Sequence, residues 1–165
     1  MAASETHYTL PAPKFDKPVK LLIVVAPYYR DIADNLVAGA KAKAASVGAE
    51  VEVLEVPGAL EIPSAIAMAG RLADFDGYVA LGCIIRGEKT HYDTVCNDSS
   101  RGLMMLGLGG SCIGNGILTV ENRDQAVVRA DPAGQDKGGG AALAALARIG
   151  FRSAISQSSP VRGSS

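Results

Sequence analysis

The run at residues 78–85, YVALGCII, constrains the fold most: it is almost continuously apolar, as expected of a strand buried on both faces of a parallel sheet. Comparable runs stand at 19–25 (VKLLIVV), at 51–56 and within 111–119. Between them lie segments with a helical period. Over 31–47, Ile32, Leu36, Ala40, Ala44 and Val47 fall on one face, with Asp31 able to cap the helix and Gly48 to end it. Further helices are predicted at about 59–73 and 92–108, a short one at 122–130, and a last one from 137 to about 149. Strands separated by helices predict an α/β fold with a mainly parallel central sheet and helices on both faces. The chain has the length of one domain, spanning residues 19–152, and shows no internal repeat. Residues 1–18 are polar and interrupted by Pro11, Pro13 and Pro18, so they form an arm that is either flexible or an edge strand added to a partner. The Ser-rich stretch 153–165 has no periodicity and is expected to be a disordered tail.

Several function classes are disfavoured. A net charge of -1 gives no general attraction for nucleic acid or anionic membrane. The first residues lack the basic start and apolar stretch of a signal peptide, and no segment offers the roughly 20 apolar residues that span a bilayer. Cys83, Cys96 and Cys112 show no CxxC spacing and read as free thiols of a reducing compartment, so the expected location is cytoplasmic. Lys137-Gly138-Gly139-Gly140 does not fit the GxxxxGK[ST] phosphate loop, and neither Gly107-Leu108-Gly109 nor Gly114-Asn115-Gly116 continues to a third glycine. Metal is not expected either, because His7 and His91 are too few for an ordinary histidine-based zinc site.

In an open parallel sheet, ligands bind beyond the carboxyl ends of the strands, and four unusual features fall there. His91 follows the third strand through a polar connection, where it could orient the next helix or serve as a general acid and base near neutral pH. PGALEIP at 57–63 joins the second strand to the second helix. It reads as turn punctuation, yet amides at a helix start also donate to ligands and Glu61 can accept hydroxyl protons. Tyr28 and Tyr29 follow the first strand in a chain with only five Tyr, three Phe and no Trp, and either covers the sheet edge or stacks on a flat heterocycle. Arg129 ends its helix, where a cation also suits the helix dipole.

Taken together, PGALEIP at 57–63, GCIIRGEKTHYDTVCN at 82–97, NGILTVEN at 115–122 and Arg129 with Lys137-Gly138 resemble the lumazine synthase family, in order and at matching spacing. The agreement covers about residues 19–150, and IRGxxTHYD at 85–93 is specific to this family and its near relatives. The resemblance implies a flavodoxin-like three-layer α/β/α sandwich, assembled as a homopentamer or a multiple of pentamers with active sites built between neighbouring subunits. It puts the pyrimidine-stacking aromatic at Tyr28, pyrimidine and ribityl contacts at Ala59, Leu60, Glu61, Cys83, Ile84 and Ile85, and a further contact at Asn115. The phosphate-binding turn falls on Glu88 and Lys89, the neighbouring subunit's share on Asn115 and Arg129, and the catalytic histidine on His91. Glu88-Lys89 replaces smaller residues and Asn115 stands where some relatives carry an apolar ring. Asp131-Pro132 changes the linker that bears on shell formation.

By the same resemblance, 5-amino-6-ribitylamino-uracil condenses with 3,4-dihydroxy-2-butanone 4-phosphate to 6,7-dimethyl-8-ribityllumazine, a step of riboflavin biosynthesis. The amine adds to the ketone to form an imine, phosphate is eliminated, and the second nitrogen closes the ring. No cofactor or metal is implied. The alternatives are a riboflavin synthase of the archaeal type and a non-catalytic flavin-binding or shell-forming homologue. His91 together with Arg129 speaks against the binder, because a flavin without phosphate needs neither a proton shuttle nor a phosphate cation.

Overall fold

The computed structural model describes residues 8–87 and 90–158. Its elements run β1 (Lys20–Val25), α1 (Arg30–Ser46), β2 (Glu50–Glu55), a 3-10 turn (Ala59–Glu61) leading into α2 (Ile62–Leu72), β3 (Gly77–Ile85), α3 (His91–Leu108), β4 (Ile113–Val120), α4 (Arg123–Ala130) and α5 (Lys137–Ser158). The strands form a single four-stranded sheet in the order β2-β1-β3-β4, and every pairing is parallel. This is the expected three-layer sandwich. Alternation along β1 sends Leu21, Ile23 and Val25 into a core with α1, α4 and α5, and Leu22, Val24 and Ala26 into a second core with α2 and α3. The order reverses between β1 and β3, so the carboxyl ends of these two strands flank the crevice where ligands bind in such sheets.

Two local expectations, at the start of α1 and at the end of α5, are corrected. The residue flanking the start of α1 is Tyr29, with no side-chain cap, and Asp31 lies inside the first turn, its carboxylate engaged by Arg123 from the far side of the chain. Residues 8–18 form no strand within this chain, as either reading of the arm requires, and Phe15 packs on the α1/α5 core. The last helix does not stop near Ile149: residues 153–158, expected in a disordered tail, form its exposed final turns. Extending an existing helix adds a hydrogen bond for each residue fixed, which outweighs the weak helix propensity of serine. Residues 159–165 lie outside the described residues.

Close packing of α5 on its neighbours relies on glycine. A Cβ on Gly114 of β4 would fall on the Ala141 carbonyl of α5, and one on Gly138 would fall on the Leu36 carbonyl of α1. Both obstacles are backbone and cannot rotate aside. We expect Gly114→Ala to destabilise the fold by about 1–3 kcal/mol or more, the range for overpacking a core. Calorimetry should then show a fall in Tm of roughly 2–4 °C per kcal/mol.

Candidate active site

A cleft of about 440 Å³ opens at the reversal point, lined by residues from all three strand-to-helix junctions that meet there. After β1, the Ala26 amide donates to the Leu81 carbonyl at 2.9 Å, and Pro27 then turns the chain so that Tyr28 stands out at 79% exposure. Tyr29 meets it edge to face, with centroids 5.0 Å apart and planes at 77°. The ring of Tyr28 therefore keeps an open surface while its neighbour limits its tilt.

After β2, extended Gly58 delivers the chain into the 3-10 turn, and Ala59, Leu60 and Glu61 line the second wall. No side chain caps this turn or the start of α2, and Pro63 occupies the first turn of the helix. The Glu61 amide donates to Gly58 O at 3.1 Å. Amides at such a start are good donors to a ligand.

From β3 come Cys83, Ile84 and Ile85, all half-buried, and from the first turn of α3 come exposed His91 and buried Val95. Burial pushes the Cys83 thiol up to about 11, against a lowering influence of Arg123. It stays neutral in ordinary conditions and serves as wall, not as a thiolate nucleophile. Burial is also the main reason that the Tyr29 hydroxyl is raised, followed by its proximity to Cys83.

This cleft unites Tyr28, Ala59, Leu60, Glu61, Cys83, Ile84, Ile85 and His91, eight of the residues singled out in the sequence. Asn115 and Arg129 are not among them. They line a separate cleft of about 520 Å³ along β4, the edge strand of the sheet, together with Lys137. Asn115 Oδ1 accepts from the Ile117 amide at 3.0 Å, leaving its amide nitrogen as the group free to point outward. Arg129 is half-buried and makes no ion pair among the described residues. Glu88 and Lys89 lie outside the described residues.

The description 6,7-dimethyl-8-ribityllumazine synthase is that of the known family whose pattern matches residues 18–152. The chain belongs to this family. Among relatives bearing the name 6,7-dimethyl-8-ribityllumazine synthase, one from Novosphingobium aromaticivorans is 59% identical over 133 residues, covering 81% of this chain and 96% of the relative. One from Jannaschia sp. (strain CCS1) is 54% identical over 144 residues, covering 87% and 81%. One from Zymomonas mobilis is 51% identical over 137 residues, covering 83% and 99%. Lumazine synthase membership thus extends over both clefts, including the β4 edge.

Among the lining residues to which the sequence assigns no definite role, Tyr29 and Lys137 carry the most chemistry. Tyr29 was visible as the second half of a Tyr pair, but only its packing against Tyr28 brings it into the wall. Lys137 stood beside Gly138 in the motif that carried the resemblance, and α5 sets it in the cleft with Arg129.

Proposed function

We propose that the protein is a cytoplasmic transferase, a homopentamer or multiple of pentamers, that condenses 5-amino-6-ribitylamino-uracil with 3,4-dihydroxy-2-butanone 4-phosphate to 6,7-dimethyl-8-ribityllumazine. The observation that carries this reading is the division of the site residues between two clefts. One has an aromatic face, helix-start amides and His91; the other has the half-buried cation Arg129 of α4 beside the open edge of β4. A second copy whose β4 edge meets the first cleft would bring the two halves together, as cyclic assembly requires a surface that meets a different surface of its neighbour.

In this arrangement the pyrimidine stacks on Tyr28, and the ribityl hydroxyls reach Glu61 and the amides at Ala59 and Leu60. The phosphate of the ketone sits between the Glu88-Lys89 turn and Arg129 of the adjoining copy, with Asn115 of that copy against the heterocycle. His91 takes and returns the protons as the imine forms, as phosphate is eliminated and as the ring closes. Proton transfer, an anion site and the alignment of two reactants suffice for these steps, and alignment alone is worth several kcal/mol. Free Cys83, Cys96 and Cys112 suit the reducing cytoplasm.

Stacking on Tyr28 has a direct check. Tyr28→Ala should weaken pyrimidine binding by about 1 kcal/mol or more, whereas Tyr28→Phe should be nearly silent in calorimetry because the ring remains. Equal damage from both would transfer the role to the hydroxyl. The reaction is tested by incubating the purified protein with both substrates and following absorbance of the lumazine. Its formation is expected. Conversion of added lumazine to riboflavin, or binding of the pyrimidine without turnover, would refute the assignment.

A further inference from the structure

Arg86 lines neither cleft, yet it is bound from three directions at the junction that delivers His91. Its backbone amide extends the β3–β4 ladder, donating to Val120 O at 2.9 Å. Its Nε donates to Glu121 Oε2 at 2.7 Å, while its guanidinium lies 4.4 Å from the centroid of the Tyr92 ring and 3.8 Å from Asp93 Oδ1. Glu121 is itself fixed, since its amide donates to Gln125 Oε1 at 2.9 Å in the first turn of α4.

The residues that Arg86 grips on α3 are the two that follow His91. Besides these contacts the start of α3 has buried Val95 one turn on, but Thr90 makes no side-chain cap and His91 itself is exposed. A helix start without a cap frays, and an imidazole on its first residue then samples several positions. A guanidinium suits the task because its planar fork can bond a carboxylate at one edge while its face lies on an aromatic ring, which an ammonium cannot do.

We infer that Arg86 is a positioning residue for the condensation, holding the first turn of α3 against the β4–α4 junction so that the His91 imidazole stays aligned with the cleft. This rests on the acid and base role proposed for His91. Misalignment of an acid or base lowers turnover without loosening substrates, and small displacements are known to matter. Arg86→Ala should therefore lower kcat about ten-fold while both KM values stay within about two-fold. Arg86→Lys should recover only part of the loss.

The decisive arrangement is a double-mutant cycle read in kcat. If Arg86 acts through the imidazole, Arg86→Ala introduced into His91→Ala should change kcat by less than about two-fold, because the group being aligned is gone. The same ten-fold loss in both backgrounds, or no loss in the native one, would overturn the inference. Glu121→Gln, read in the same two backgrounds, decides the matter if Arg86→Ala does not fold, and is expected to show the same non-additivity at smaller size. Should His91→Ala leave turnover unchanged, the role of His91 fails and the inference with it, whereas additive losses sink the inference alone.

Discussion

Replacing His91 by alanine is expected to lower turnover by roughly ten-fold to a thousand-fold, with the pyrimidine dissociation constant changed by no more than about two-fold. The binding half of that statement follows from geometry. The wall proposed to take the pyrimidine is made by Tyr28, the turn at Ala59–Glu61 and β3, none of which depends on the imidazole for its position. The catalytic half follows from the chemistry, since imine formation, elimination and ring closure each move protons. His91 is exposed, so water or buffer can enter the space that alanine vacates and replace part of the transfer. That exposure places the expected loss below the upper end for a positioned acid and base, and added imidazole should restore some of the rate. Steady-state kinetics with and without imidazole, beside a pyrimidine titration, reads all of this. Unchanged turnover would remove His91 from the mechanism.

The second large effect is expected at Arg129. A phosphate dianion is best held by a guanidinium making paired, charge-assisted hydrogen bonds, each worth about 1.5–3 kcal/mol. Arg129 is half-buried at the end of α4 in the cleft along β4, so its charge is less screened than that of a fully exposed arginine. Arg129→Ala should raise KM for the butanone phosphate by roughly ten-fold to a hundred-fold, while affinity for the ribityl-aminopyrimidine stays within about two-fold. Arg129→Lys should recover only part, because an ammonium keeps the charge and loses the fork. Lys137 in the same cleft limits the damage by retaining one positive charge. Equal weakening of both substrates would make Arg129 a structural helix-end residue.

The fold was legible where local pattern and burial agree. The unbroken apolar run of β3 announced a strand buried on both faces, and its first six residues are buried there, with β1 and β4 on either side. Gly48, at φ +73°, ends α1 as its position foretold, since the left-handed region suits a residue without Cβ. Expectations failed where distant residues decide. Asp31 has the chemistry of a cap, but Arg123, 92 positions away, takes its carboxylate, and Tyr29 flanks the helix instead. The extra turns of α5 are a cooperative continuation that serine-rich composition does not reveal.

The site shows the same division. Motif order identified Tyr28, Ala59–Glu61, Cys83–Ile85 and His91 because each follows a strand directly, and strand ends on a parallel sheet converge. Neither spacing nor composition could tell that Asn115 and Arg129 would face a different cleft. That follows from β4 being the edge strand, a property of the sheet order alone. Each chain consequently carries two separated clefts, and the proposed function makes each of them half of a site shared with a neighbour.

Complementation between impaired copies tests this most directly. The His91→Ala and Arg129→Ala chains, each impaired alone, would be co-expressed in equal amounts and purified as mixed oligomers. If one copy supplies His91 and its neighbour Arg129, random mixing leaves about a quarter of the sites with both native residues, and at butanone phosphate well below its KM lumazine formation should rise to about a quarter of the native rate. Activity no greater than the average of the two parent variants, in oligomers shown to contain both chains, would contradict a site shared between neighbours.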